Sequence, residues 1–265
     1  MQLSIGFLIA AVIVYAAFRA RSLNRSGALA AVVVGTVIFG IGGWQWAVIL
    51  LTFFVTSSAL TRAFKNRKFD LSEKFSKGGQ RDAGQVFGNG GLATFFAGLT
   101  FLYPDDPRLW LGFAAALAAS NADTWATELG VLNPHPPRLI THPSRIVEKG
   151  TSGGISPVGT LAALTGAGLI GFLAGLLNPG GISLSTVFLV TLAGLLGSLF
   201  DSLLGATVQA IYRCPSCNKE TERQPLHTCG TPTVQIRGWK WLDNDWVNFG
   251  CGAFGVIIAL LVYPA

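Results

Sequence analysis

The chain has 265 residues, of which 51% are hydrophobic and only 12% charged. That is about half the roughly 25% charged residues of a soluble domain, and the mean hydropathy is +0.51. Composition excludes a disordered chain, which needs low hydrophobicity, and argues against a water-soluble enzyme, which needs more polar surface than these residues supply. The formal net charge of +6, from 19 basic and 13 acidic residues, would suggest nucleic acid in a soluble protein. In a membrane protein Lys and Arg set orientation, and no nucleic-acid partner is expected.

A helix needs about 20 apolar residues to cross the roughly 30 Å hydrocarbon core. Eight stretches are read as spans, in chain order: Leu3–Phe18, Gly27–Gly43, Trp44–Leu60, Ala83–Tyr103, Leu109–Leu129, Pro157–Leu177, Ser185–Ile211 and Trp246–Val262. The expected class is an all-α polytopic membrane helix bundle, a single membrane domain over 1–265, with both termini on the non-cytoplasmic side. Eighteen of the 19 basic residues fall in the connectors after spans one, three, five and seven, and Arg108 alone lies opposite. The positive-inside rule makes the crowded side cytoplasmic. No basic residue precedes span one, whereas Arg19, Arg21 and Arg25 follow it. A cleavable signal peptide has the reverse order, so span one is read as a retained helix.

The polar clusters gather at the cytoplasmic ends, where an ionisable group in a span is a functional candidate by default. Residues 78–91 are Gly-rich and contain Arg81, Asp82 and Asn89. Glycines let a backbone approach a ligand closely, and a guanidinium fork suits a phosphate. Arg81 and Asp82 are superfluous for packing, so Arg81 and Asn89 are binding candidates and Asp82 a catalytic one. The alternative is a hinge or a close helix contact. Asn121, Asp123 and Glu128 end an unbroken apolar run, and Asn121 and Glu128, two turns apart, share a face. Mg²⁺ needs one or two carboxylates plus phosphate oxygens and water; helix capping or an Arg pair is the alternative for Asp123.

Arg145, Lys149, Thr151 and Ser152 lead through a Gly-rich loop into span six, a plausible phosphate cradle although not a Walker A motif. An ordinary capped loop explains it equally well. Asp201 stands inside span seven between Gly197 and Gly205. The two glycines let that face pack on the span carrying Asp123, so the two carboxylates could hold Mg²⁺. Asp243 and Asp245 precede span eight among Trp239, Trp241 and Trp246. The tryptophans fit an interfacial belt, and the acids are metal or nucleotide ligands or a helix cap.

The connector 212–245 holds Cys214, Cys217, His227 and Cys229 within a knuckle-like insert, 214–229. A reducing cytosol disfavours a disulfide, and four such ligands suit a closed, structural tetrahedral Zn²⁺. A metal-free Cys/His hairpin is the alternative.

Taken in this order, the strings Arg81-Asp82-Ala83-Gly84-Gln85-Val86, Asn121-Ala122-Asp123-Thr124-Trp125-Ala126-Thr127-Glu128, Lys149-Gly150-Thr151-Ser152-Gly153-Gly154 and Gly197-Ser198-Leu199-Phe200-Asp201 resemble a membrane family once catalogued as a domain of unknown function. It includes the plant phytyl-phosphate kinase of vitamin E salvage and the vertebrate transmembrane protein nineteen. The resemblance implies phosphoryl transfer from a nucleoside triphosphate, with CTP favoured, to an isoprenyl monophosphate such as phytyl or geranylgeranyl phosphate. It implies catalysis by Asp82, Asp123, Glu128 and Asp201, the last three binding Mg²⁺. Arg81, Asn89, Asn121, Arg145, Lys149, Thr151, Ser152, Asp243 and Asp245 would bind substrate and nucleotide. The competing readings are a cytidylyltransferase that makes a CDP-lipid and a transporter. A homo-oligomer stays open.

Overall fold

A computed structural model describes residues 2–64 and 73–263; Lys65, Arg67 and Lys68, counted above toward the cytoplasmic charge, lie outside the described residues. The described chain is mostly helical. Its helices are α1 (Gln2–Arg19), α2 (Arg25–Val37), α3 (Trp44–Ala63), α4 (Ala83–Leu99), α5 (Pro107–Gly130), α6 (Pro157–Leu176), α7 (Leu184–Thr207) and α8 (Asn244–Val262). A π-helical turn, Ile38–Gly42, extends α2. With that extension α1, α2, α3, α6, α7 and α8 are each long and apolar enough to cross a membrane.

Side-chain caps start most of these helices. Asn24, Asp82, Asp106, Ser156, Ser183 and Asp243 each accept a hydrogen bond from a first-turn amide, which satisfies donors that the helix itself leaves orphaned. Small residues then set the spacing. Gly171 and Gly175 of α6 lie against Thr191 and Val187 of α7, and Gly194 of α7 lies against Ala118 of α5 and Ala167 of α6. This close backbone approach is how membrane helices gain packing energy without a hydrophobic drive.

Helix α5 is the axis. Residues 109–122 are all buried, enclosed by α4, α6, α7 and α8, with α3 on the remaining side. At its first turns Trp110 and Phe113 pack with Trp46, the Trp46 ring centroid lying 4.5 Å from that of Phe113 and 5.2 Å from that of Trp110. Trp110 donates its indole N–H to the Ala174 carbonyl at 3.0 Å. This end of the bundle is aromatic and tightly closed. The other end, where α1, α3, α5 and α7 finish and the even-numbered helices begin, is polar.

The connectors at the polar end are structured. Strands β1 (Arg138–Leu139), β2 (His142–Ile146) and β3 (Gly154–Ile155) form an antiparallel sheet of order β2-β1-β3. Strands β4 (Ile211–Arg213), β5 (Glu220–Thr221) and β6 (Val234–Arg237) form a second, of order β5-β4-β6. Two span boundaries differ from expectation. Span seven was expected to reach Ile211, but α7 ends at Thr207 and Ile211 and Tyr212 are buried in β4. An apolar strand prolongs a hydropathy run as readily as a helix does. Span four was expected to reach Tyr103; α4 ends at Leu99, and Phe101, Leu102 and Tyr103 form an exposed apolar turn. Trp239, Trp241 and Trp246 are exposed, with Trp239 and Trp241 stacked at 5.7 Å, as an interfacial belt requires.

Candidate functional site

The polar end contains two clefts that share one wall, the segment from Lys77 to Asn89. The first is a polar cleft of about 610 Å³ counting its open mouth, lined by Lys77, Tyr212, Glu222, Asp243 and Asp245 among others. The second is an apolar cleft of about 650 Å³ counting its mouth, between α1, α2, α3 and α4, with Arg81 at one end.

Lys77 is the cation of the polar cleft. Its Nζ pairs with Asp82 at 2.8 Å and with Asp245. Burial works against the charge, but the two carboxylates outweigh it and hold the lysine above its ordinary pKa. Asp82 is also the N-cap of α4: its carboxylate accepts from the Gln85 amide at 2.9 Å, while Gln85 Oε1 accepts from the Asp82 amide. Burial raises its pKa, yet Lys77 and the Gln85 amide prevail and depress it. Asp82 is thus a helix cap as well as the partner of Lys77, a structural role the motif did not suggest.

Glycine at 84 makes the Lys77–Asp245 pair possible. A Cβ there would sit 2.0 Å from Asp245 Oδ2, so any other residue would displace that carboxylate from its place beside Lys77. Asp243 caps α8 by accepting from the amides of Asp245 and Trp246 at 3.0 and 3.3 Å.

Glu222 forms the far wall. Its oxygens accept from Gln209 Nε2 at 3.0 Å and from the Ser76 amide at 3.4 Å, and burial raises its pKa against those two bonds. Gln209 accepts in turn from Ser152. This chain ties the 149–154 loop to the cleft, and Gly153, in a left-handed conformation at φ 83° with Ala206 filling the space a Cβ would need, seats that loop on the end of α7.

Asp201 lies behind this wall. It is close enough to Asp123 and to Glu222 to feel both charges, and Cys251 feels Asp201 and Asp123 in turn. One turn earlier, Gly197 lets α7 approach Ala119 of α5 and Cys251 of α8. The Asp201 Oδ2 and Asp245 Oδ1 atoms are buried with no hydrogen-bond partner among the described residues. Buried carboxylate oxygens left this way are costly, and hard oxygen donors of this kind fit a divalent cation.

Other expected site residues are engaged elsewhere. Asn121 is buried: Ser57 Oγ donates to its carboxamide oxygen at 3.2 Å, and its Nδ2 donates to the Gly166 carbonyl at 2.8 Å. It clamps α5 between α3 and α6. Asn89 Nδ2 bonds back to the Gln85 carbonyl at 2.9 Å. Lys149 Nζ donates to the carbonyls of Val131 and Asn133 at 3.1 and 2.6 Å, past the end of α5, where a cation offsets the helix dipole. Arg145 sits on the exposed strand β2. Thr151 closes the loop turn, its amide bonding the Glu148 carbonyl at 3.1 Å. Glu128 accepts from Thr61 Oγ1 at 2.8 Å, and its charge reaches Arg81.

Sequence reasoning missed Lys77, Gln209 and Glu222. Lys77 stands immediately before the Gly78-Gly79 pair, so extending that motif by one residue would have found it. Glu222 has no local signal; only the fold of β5 brings it in.

The atoms of Cys214, Cys217, His227 and Cys229 that could bind a metal all lie within 4.8 Å of one another. Sγ of Cys214 and Cys229 are 3.5 Å apart, His227 Nδ1 is 3.3 Å from Cys229 Sγ, and His227 Nε2 is buried with no hydrogen-bond partner among the described residues. Three thiols and one imidazole so placed can hold a metal ion. The same hairpin grips the wall of the polar cleft: Thr221 Oγ1 donates to the Glu73 carbonyl at 2.6 Å, and the Glu222 amide to the Lys74 carbonyl at 2.8 Å.

Comparison with known proteins agrees with a membrane protein of this size. The sequence profile of integral membrane protein DUF92 matches residues 8–256. The chain is 35% identical to Protein PGR of Arabidopsis thaliana, over 94% of this chain and 91% of that protein. It is 33% identical to an uncharacterised membrane protein of Methanocaldococcus jannaschii, over 99% of this chain and 95% of the other. To the chloroplastic protein VTE6 of Arabidopsis thaliana it is 26% identical, over 91% of this chain and 65% of that protein. No solved structure matches.

Proposed function

From the premise that this chain belongs to the DUF92 family of integral membrane proteins, we propose that it is a membrane phosphotransferase that moves the terminal phosphoryl group of a nucleoside triphosphate onto an isoprenyl monophosphate. The observation that carries this reading is the gathering of carboxylates from distant parts of the chain at one cleft: Asp82 and Asp245 pair with Lys77, Glu222 and Asp243 line the walls, and Asp201 lies behind, close enough to feel the Glu222 charge. An acid-rich cleft with one central cation suits a triphosphate brought in with a divalent metal. The phytyl-phosphate kinase that the sequence motifs resemble, and the similarity to VTE6, supply the lipid class. CTP is the favoured donor on the resemblance alone.

In this reading an oxygen of the lipid phosphate attacks the terminal phosphorus. The bond to the bridging oxygen breaks, and the nucleoside diphosphate leaves with that electron pair. The acceptor is already ionised, so no general base is required. Mg²⁺ held by Asp201 with Asp123, whose charge reaches it, would neutralise charge on the transferring group, while Glu128 faces Thr61 and Arg81. Lys77 would bind phosphate oxygens once released from Asp82 and Asp245. Asp82 would position Lys77, and Ser152, through Gln209, would position Glu222. Zn²⁺ at the Cys/His cluster would be structural, since the four protein ligands leave no open position. The positive-inside rule puts this end in the cytosol, where nucleotide is available.

The test incubates the purified protein with Mg²⁺, prenyl monophosphates and nucleoside triphosphates labelled at the terminal phosphate. Label is expected in the lipid. Label in released pyrophosphate instead identifies a cytidylyltransferase and overturns the kinase reading.

A further inference from the structure

The apolar cleft is not used by the polar chemistry above, and its one charge is conspicuous. Its walls come from α1, α2, α3 and the start of α4, and include Val14, Ala31, Val34, Leu50, Phe53 and Phe54. Three polar residues reach it: Arg81, Gln85 and Asn89. The two amides are already engaged in the cap and first turn of α4. The guanidinium of Arg81 is different. Among the described residues it donates one side-chain hydrogen bond, to Ser58 Oγ at 3.2 Å, and lies over the rings of Phe53 and Phe54 at 5.6 and 5.4 Å. Burial pulls its pKa down to about 10 while Glu128 opposes this, so it stays charged at neutral pH.

A guanidinium stacked on aromatic faces keeps its planar fork in a fixed orientation. Its remaining N–H groups match the oxygens of a phosphate. An apolar cleft with one such cation is complementary to a molecule with one anionic head and a long apolar tail. The cleft volume also falls in the range of sites that enclose small ligands, roughly 300–1,000 Å³.

We propose that this cleft is the seat of the lipid acceptor: the tail of a prenyl monophosphate lies between α1, α2 and α3, and its phosphate meets Arg81. The proposal rests on the kinase reading for the identity of the lipid. It adds a division of labour. Lys77 serves the polar cleft and Arg81 the apolar one, and the residues between them span at most about 14 Å even when fully extended. One short segment therefore sets the spacing between donor and acceptor phosphates. The deep end of the cleft, bounded by Ala10, Phe39 and Leu51, sets the tail length.

The experiment uses the full chain in lipid nanodiscs without nucleotide. Farnesyl phosphate with a photoreactive group at the tail end is crosslinked, and the labelled peptides are mapped. Label is expected on α1, α2 and α3 around Ala10, Phe39 and Leu51. Unlabelled farnesyl phosphate should compete at least tenfold better than farnesol or phosphatidylglycerol. Arg81→Gln should abolish that preference and Arg81→Lys should retain part of it; the wild-type competition stands even if neither variant folds. Leu51→Trp should weaken geranylgeranyl phosphate more than geranyl phosphate.

Label on α7 or α8, label spread over every lipid-facing helix, or equal competition by farnesol or phosphatidylglycerol overturns the proposal. Binding is read without turnover, so the two ideas fail separately. Specific label in a protein that turns over no nucleotide sinks the kinase and keeps the lipid seat. Turnover with label elsewhere does the reverse.

Discussion

The two clefts differ in how their charges are held. In the apolar cleft Arg81 is held by two aromatic rings and one hydroxyl, with the Glu128 charge within reach. In the polar cleft Lys77 is pinned between Asp82 and Asp245, with Glu222 and Asp243 on the walls. The first arrangement leaves donors for an anion without a prior exchange of partners. The second must give up an ion pair before Lys77 can bind anything, so it favours a ligand that brings its own cation to replace the lysine among the carboxylates. A lone charge within apolar walls on one side, and a cluster of opposed charges on the other, is the contrast the fold establishes.

The largest effect is expected behind the wall of the polar cleft. Asp201→Asn should reduce phosphoryl transfer at least about 100-fold, since a metal ligand that neutralises charge in the transition state contributes several kcal/mol. Removing a buried, unpartnered carboxylate should leave the protein folded, measured by its thermal unfolding in detergent. If Asp201→Asn turns over at the wild-type rate, the one acid of α7 has no part in the chemistry and the contrast between the clefts collapses.

Next is the metal cluster. Stripping the metal with a chelator, or Cys217→Ser, should loosen the β4–β6 hairpin and through Thr221 and Glu222 release residues 73–77. A loss of roughly 10-fold in activity is expected, in line with positioning groups around a site, together with new protease cleavage between 213 and 237. Metal analysis of the purified protein checks the premise. Lipid crosslinking in the apolar cleft should be unchanged, because no hydrogen bond from the hairpin reaches it among the described residues.

Lys77→Met should come third, raising the KM for nucleotide about 10-fold while the KM for lipid phosphate stays constant. A matching rise for the lipid would mean that one cleft holds both substrates.

How much of this was legible beforehand depends on the physical origin of each feature. The helices follow from hydropathy, and the start of α8 from its cap residue Asp243, because both are local properties. Asp201 could be singled out because a carboxylate in an apolar span has a cost visible from composition alone. The setting of Lys149 could not be read in advance. Lysine before a Gly/Ser/Thr loop looks like a phosphate ligand, but the ammonium also donates to the carbonyls of Val131 and Asn133 beyond α5, and such partners are unknown until the chain turns back. Glu222 lay in the opposite difficulty: its neighbours in sequence are solvent-type residues, and only the strand pairing of Tyr212 with Thr221 carries it inward.

The smallest effect tests that last residue. Burial raises the Glu222 pKa, so the unfolded chain gives up this proton at a lower pH than the folded protein. Between those two values the folded state holds the extra proton, and stability falls as pH rises through the window. Glu222→Gln removes that fall. Without Mg²⁺ the variant should unfold a few degrees higher than wild type at neutral pH, on a scale of roughly 2–4 °C per kcal/mol for a chain of this size. The gain should vanish at a pH below the ordinary carboxylate value, where wild-type Glu222 is protonated in both states. A gain that persists at acidic pH would come from packing and not from charge. It would separate Glu222 from the electrostatics that distinguish the polar cleft from its apolar neighbour.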